Sequence, residues 1–299
     1  MYVFIASAHA ETKVGVAYFS KSGMGKRVLE GLVPRLQSHI PGVAIEERIE
    51  LADADELLSV IKEFEQSKDA MIILRSSGAK VIGDNPPSIP TFLGATNNPV
   101  LLGVVESFDK PGGNVTGATY YLKKDTQFEI FQALIPTMKS VFLIAEKGHP
   151  SSAIDIAETK VVCEKLGIAY NGKEFESLED ALATIEASKD AVDVFILGAQ
   201  SLGIDNADKL VLSAPEKPFV SYSSKPVQYG ALGGFVADDQ KLGILLADSM
   251  KKVLVDGKTA GDIPFIVDPE PKFVVNGGVA EKLGLEIPYE ILLVAEVVQ

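Results

Sequence analysis

Ser67-Lys-Asp-Ala-Met-Ile-Ile-Leu74 and Ser188-Lys-Asp-Ala-Val-Asp-Val-Phe-Ile-Leu197 decide the fold. Each opens on the same four residues, 121 positions apart, and each leads into a short apolar run. Runs this brief, bounded by Ser and Gly and rich in Ile, Val and Leu, read as strands of a parallel sheet covered on both faces. The echo extends outward. Lys139-Ser-Val-Phe-Leu-Ile-Ala145 repeats the role of Lys13 to Phe19, 126 residues later. Lys217-Pro-Phe-Val-Ser-Tyr-Ser223 follows Ile89-Pro-Thr-Phe-Leu-Gly-Ala95 at an offset of about 128. Three matches in order, at nearly one offset, argue for two copies of one fold, over roughly 11–118 and 119–236.

Helical patterns separate the strands. Strands are expected at 14–19, 44–49, 70–74 and 90–93, with helices at 26–38 and 53–65. This alternation gives right-handed crossovers and a doubly wound sheet. The tail breaks the pattern: an amphipathic helix over 239–255 ends near Gly257, and strands come next at 265–267 and 273–275. The expected fold is α/β: two doubly wound, Rossmann-like lobes of parallel sheet joined by a multi-strand hinge. Residues 11–118 with 238–267 form the N-terminal lobe, and 119–237 with 268–299 the C-terminal lobe. Residues 1–10 are apolar, uncharged and end in Ala8-His9-Ala10, so they read as a signal-peptide remnant with cleavage before Glu11. No cysteine follows that site, which argues against a lipid anchor there.

The bulk composition narrows the function. The chain has 299 residues and carries 28 Lys+Arg against 41 Asp+Glu, a net charge of -13. Such a field disfavours nucleic acid and anionic membrane surfaces as partners. No stretch is apolar enough to insert in a membrane. A single cysteine, Cys163, precludes an internal disulfide, and its apolar surroundings mark it as a buried small hydrophobe. The three histidines are far apart, and no metal site or other cofactor is indicated. No nucleophile paired with a base emerges either.

Ligands of open parallel sheets sit beyond the carboxyl ends of the strands. In the first copy those ends offer Phe19, Ser20 and Ser22, then Ser76 and Ser77, then Ala95, Thr96, Asn97 and Asn98. In the second they offer Ser151, Gln200, Tyr222 and Lys225. Hydroxyls, amides and helix N-termini suit a carboxylate or another anion. Phe19, Tyr121 and Tyr222 could stack on a ring, and Lys225 could pair with a ligand carboxylate. Asp238 completes the candidate ligand set. Each Ser or Gly has a plainer reading as a helix cap or turn residue. Gly23-x-Gly25-Lys26 is reminiscent of a phosphate loop, but Arg27 stands where a magnesium-binding Ser or Thr belongs.

Pro111-Gly-Gly-Asn-Val-Thr-Gly117, Gly230-Ala-Leu-Gly-Gly234, Asp238-Asp-Gln-Lys-Leu-Gly243, Gly257-Lys-Thr-Ala-Gly-Asp-Ile-Pro264 and Leu283-Gly-Leu-Glu-Ile-Pro288 together resemble the ABC transporter substrate-binding family of tryptophan/tyrosine type. The resemblance covers about 12–299. It implies a type I periplasmic binding protein fold and no catalysis. It also implies that Ser76, Ser77, Ala95 and Thr96 hold a ligand carboxylate. The chain departs from the family at two places where an acid would meet an ammonium: Asn98-Pro99 replaces Asp-Pro, and Ala199-Gln200 offers no carboxylate. The expected protein is a periplasmic monomer that delivers a small polar or aromatic metabolite, an amino acid or related carboxylate, to the permease of an ABC importer. The alternatives are a ligand-sensing regulatory domain of the same fold and a nucleotide-dependent α/β enzyme.

Overall fold

The computed structural model describes residues 11–19, 21 and 23–299. The expected signal-peptide remnant and the candidates Ser20 and Ser22 lie outside the described residues. The chain divides into two units: unit 1 runs to Thr119 and includes Asp239–Ile266, and unit 2 comprises Tyr120–Asp238 and Val267–Gln299. It therefore passes between units three times, after Thr119, Asp238 and Ile266.

Unit 1 opens with β1 (Lys13–Phe19), α1 (Gly23–His39), β2 (Ala44–Leu51), α2 (Ala54–Ser67), β3 (Ala70–Leu74), α3 (Ser76–Asp84), β4 (Thr91–Thr96) and β5 (Val115–Thr119). Unit 2 starts with α4 (Lys124–Leu134), β6 (Ser140–Glu146), α5 (Pro150–Leu166), β7 (Ala169–Phe175), α6 (Leu178–Ser188) and β8 (Val194–Leu197). It continues through α7 (Ser201–Asp205), α8 (Ala207–Leu212), β9 (Phe219–Ser221), α9 (Lys225–Gln228) and β10 (Gly233–Val236). The chain then gives unit 1 the helix α10 (Asp239–Leu254) and the strand β11 (Ile266–Val267), whose last residue already belongs to unit 2. It closes unit 2 with β12 (Lys272–Asn276), α11 (Gly277–Leu283), α12 (Tyr289–Leu292) and β13 (Ala295–Val298).

The sheets show the repeat directly. Unit 1 has the order β11-β5-β4-β3-β1-β2, and unit 2 has β13-β12-β10-β9-β8-β6-β7. Stripped of the tail strands, both read fifth-fourth-third-first-second. The buried strands β1, β3 and β4 are nearly continuous apolar runs because helices cover both their faces. The edges β2 and β7 are charged and exposed, with Glu46, Glu47 and Arg48 on one and Lys173 and Glu174 on the other, which discourages pairing with another chain. Unit 2 also holds one antiparallel pair within its mostly parallel sheet. The chain leaves β10 at Val236 and re-enters β12 at Lys272, directly opposite, so these two strands pair antiparallel. A return at the same sheet end needs no crossover.

The glycine-rich motifs mark close backbone contacts. A Cβ on Gly31 of α1 would lie 1.9 Å from the Gln240 carbonyl oxygen, and one on Gly243 of α10 2.0 Å from that of Val28, so the two helices touch backbone to backbone. Gly112 and Gly113 both hold positive φ, and the Gly112 N–H donates to the Gly261 carbonyl at 3.1 Å. The Pro111-Gly-Gly and Ala260-Gly-Asp stretches are thus two sides of one contact. Gly23 and Gly25 lie within the first turns of α1, not in a phosphate-type loop.

Candidate functional site

A doubly wound sheet binds ligands where the strand order reverses. In unit 1 that point lies between β1 and β3. Here Arg75, buried at 8% exposure, directs its guanidinium to the Phe19 carbonyl at 3.1 Å. Its φ of 73° is unusual for a residue with a side chain, as is the 51° of Ala95 one strand away. Strained backbone of this kind costs about 1–3 kcal/mol per residue and collects at ligand sites. At the end of β4, the fully buried Thr96 hydroxyl has no hydrogen-bond partner among the described residues. Arg75 is the N-cap residue of α3, whose first residue is Ser76, and its own side chain makes no capping bond.

Around these groups the neighbouring polar residues build the scaffold. Ser76 Oγ accepts from the Asn97 N–H at 2.9 Å, and Asn97 Oδ1 from the Asn98 N–H at 2.8 Å. Asn98 Oδ1 in turn accepts from the N–H groups of Val100 and Leu101. Thr119 donates to the Thr96 and Asn97 carbonyls at 2.7 and 3.0 Å. Asn98, which stands where the family carries Asp, thus serves as a turn cap.

In unit 2 the reversal lies between β6 and β8. Glu146 at the end of β6 accepts from the Leu202 N–H of α7 at 2.9 Å. Gln200 is 1% exposed and donates to Asp155 Oδ2 at 2.6 Å. Asp155 Oδ1 pairs with Lys124 at 3.0 Å, and both side chains are buried. The Lys124 ammonium stands 3.5 Å above the Tyr222 ring centre, while Phe131 stacks on that ring at 6.1 Å. The Tyr222 hydroxyl meets Thr159 at 2.7 Å. A carboxylate does therefore sit beside Gln200, supplied by α5 rather than by the strand end.

A model of the ABC transporter substrate binding protein family matches residues 27–299. The chain belongs to that family. A "tyrosine-binding protein" of Clostridioides difficile is 25% identical over 221 residues, a stretch covering 73% of this chain and 64% of that relative's length. Among solved structures, an ABC domain from Streptococcus pneumoniae in complex with L-Trp is 23% identical with a TM-score of 0.87, covering 97% of this chain and all of that one. A ligand-free, open substrate-binding protein with adhesive properties from Clostridium difficile is 21% identical with a TM-score of 0.77, covering 96% and 99%. The fold is that of the type I periplasmic binding proteins, two α/β units with flanked, mostly parallel sheets.

In this substrate-binding protein the candidate residues fall into two groups. Phe19, Ser76, Ser77, Ala95, Thr96, Asn97 and Asn98 gather at the strand ends of unit 1. Ser151, Gln200 and Tyr222 gather in unit 2, where Ser151 Oγ lies 3.1 Å from the Tyr120 hydroxyl. Tyr222 is 5% exposed, and its ring already packs against Lys124 and Phe131. Lys225 is no lone cation: it pairs with Asp205 at 3.2 Å, and Asp238 pairs with Lys272 at 2.8 Å. Tyr121 donates to Glu158 at 2.7 Å. Cys163 is 1% exposed, and burial pushes its thiol pKa up to about 11. Arg75, Lys124, Asp155 and Glu158 were missed by the sequence reading. The stripe Ser151, Asp155, Thr159 at helical spacing, beside buried Ile154 and Val162, was the available signal. Among the described residues no cluster suited to a metal ion occurs, and no helix is long and apolar enough to cross a membrane. A groove of about 380 Å³ in unit 1, lined by Ile82, Pro86, Val105, Glu106 and Val115, lies at the amino end of β5, away from these strand ends.

Proposed function

We propose that the protein captures a small aromatic or polar solute, an amino acid or related carboxylate, between its two units. It then releases that solute to the permease of an ABC importer and performs no chemistry on it. In this reading it acts outside the cytoplasm, after loss of a signal peptide, and as a monomer. The observation that carries the reading is the Thr96 hydroxyl, buried without a partner among the described residues and flanked by strained Ala95. A buried polar group left unpaired costs about 1–3 kcal/mol, which a ligand oxygen or N–H placed there would recover. The N-terminal end of α3 and the Arg75 guanidinium add positive potential, which suits a carboxylate. The family and the aromatic amino acids named for its relatives point the same way.

Binding would shift the protein from open to closed forms, in proportion to the solute's preference for the closed one. Micromolar affinity needs about -8 kcal/mol, within reach of a few buried hydrogen bonds and one stacked ring. A thermal-shift panel of amino acids, their des-amino analogues and simple carboxylates tests this. The expected result is a sharp, saturable shift with one chemical class, strongest for L-tyrosine or L-tryptophan. No shift with any member, or turnover of one, would sink the reading.

A further inference from the structure

The chain enters unit 2 through two consecutive tyrosines, and α5 pins both by their hydroxyls. Tyr120 meets Ser151 at 3.1 Å, and Tyr121 donates to Glu158 Oε1 at 2.7 Å. The two anchors differ in kind. Ser151 cannot ionise, whereas Glu158 can. Glu158 also differs from Asp155, one turn earlier on the same helix. Asp155 has a partner on each carboxylate oxygen, Lys124 on one and Gln200 on the other. Glu158 holds Tyr121 with Oε1, while its Oε2 is buried with no hydrogen-bond partner among the described residues.

We infer that Glu158 is a positioning residue for Tyr121, fixing the ring that the solute meets with a grip that weakens as the medium acidifies. This rests on the reading that Tyr121 lines the solute site. The charged groups facing Glu158 are Lys124 and Asp125 from α4 and Asp155 from α5 itself. Burial pushes its pKa up and outweighs the Tyr121 hydroxyl and Lys124, which lower it; Asp155 and Asp125 add to the rise. Glu158 therefore takes up a proton at a higher pH than an ordinary glutamate. The ionised form accepts the Tyr121 O–H in a charge-assisted bond, roughly twice as strong as the neutral one. The tether is strongest above the raised pKa and slackens as pH falls through it. Stability of the unliganded protein runs the other way. A group whose proton is held more tightly in the folded state favours folding less as pH rises through that window. Glu158→Gln therefore removes a desolvated charge and is expected to fold at least as well as the parent at neutral pH.

Affinity for L-tyrosine, measured by titration calorimetry from about pH 7 to about pH 4.5, provides the test, because the ligand stays predominantly zwitterionic over that range. The parent protein should lose about threefold or more in affinity on acidification. Glu158→Gln, which retains a neutral acceptor, should give a flat profile near the parent's acid limit, and Tyr121→Phe a flat and weaker one. A second measurement needs no ligand: the Glu158 carboxyl titration, followed by NMR, should move upward in Tyr121→Phe, since the hydroxyl that lowers its pKa is gone. A parent profile that is flat while binding persists would overturn the inference and leave solute capture standing. A slope that survives in Glu158→Gln, or a Glu158 titration unchanged by Tyr121→Phe, would also overturn it. No L-tyrosine binding at any pH would overturn this inference, while the solute reading would stand or fall on the wider panel described above.

Discussion

At the strand ends of unit 1, Arg75 and Ala95 hold strained backbone, and the buried Thr96 hydroxyl has no partner among the described residues. At the matching ends of unit 2, Gln200, Asp155 and Lys124 satisfy one another, and the Tyr222 ring packs against Lys124 and Phe131. The two units share one strand order, so topology does not cause the difference. It arises from what each set of helices delivers. Unit 2 receives an acid and a base from α5 and α4, which neutralise each other inside the protein. Unit 1 receives the short helix α3, whose N-cap residue Arg75 makes no side-chain capping bond. The contrast teaches that the same scaffold can carry a completed polar cluster in one unit and, among the described residues, a buried hydroxyl without a partner in the other.

The sharpest way to break the completed cluster is to remove one half of its ion pair. Asp155→Ala leaves Lys124 charged and buried, and should cost about 3–5 kcal/mol in chemical denaturation. The double change Lys124→Met with Asp155→Leu should recover most of that loss, because it strands no charge. If Asp155→Ala unfolds like the parent, unit 2 is not completed by this pair.

A smaller change confines damage to the other unit. Gly243→Ala pushes a methyl into the Val28 carbonyl of α1, and should cost about 1–3 kcal/mol through forced separation of the helices. Protection from hydrogen exchange should fall in α1 and α10 while unit 2 stays intact. Uniform loss in both units would show that they do not behave as separate bodies.

The next comparison sets matching caps against each other. Asp69 accepts from the Lys13 N–H at 2.7 Å just before β3. Asp193 takes the same place before β8, and accepts from the N–H groups of Lys139 and Ser140 and from the Ser140 hydroxyl. Burial raises the Asp193 pKa, but those three donors outweigh it and hold the carboxyl below the usual aspartate range. Its stabilisation is therefore present above the unfolded pKa and lost as pH falls through the lowered one. Asp193→Asn should cost about 1–2 kcal/mol at neutral pH and progressively less in acid, and Asp69→Asn should cost less. Denaturation curves at two pH values decide it, and equal costs for the two changes would contradict the assignment.

That pair of aspartates also shows how far the sequence could be read. Ser67-Lys-Asp-Ala70 and Ser188-Lys-Asp-Ala191 align the ends of α2 and α6, since Ser67 and Ser188 are the last residues of those helices. The turns after those helices differ in length. β3 begins at Ala70, three residues after its helix, whereas β8 begins only at Val194. The longer turn puts Asp193, not Asp190, beside Lys139, so the identical residue does not perform the identical task. Local periodicity fixed the apolar strands well, because burial on both faces leaves a mark in each stretch. The site was harder. Ser76, Thr96 and Gln200 were legible as residues at strand ends, but Asp155 lies 45 residues from Gln200, in mid-helix, where no turn or glycine draws the eye. The packing of Lys124 on Tyr222 and the Lys225–Asp205 pair depend on which helix packs where, and only the folded chain shows that.

The role of the buried hydroxyl in unit 1 is tested most directly by Thr96→Val, which keeps the shape and deletes that group. Titration calorimetry with L-tyrosine, beside a denaturation curve of the unliganded protein, is the decisive measurement. Loss of an unpaired buried hydroxyl should leave stability unchanged or raised by about 1 kcal/mol, while affinity falls about tenfold as the ligand loses its buried partner. Unchanged affinity together with a loss of stability would contradict the account, because the hydroxyl would then serve the fold and not the solute.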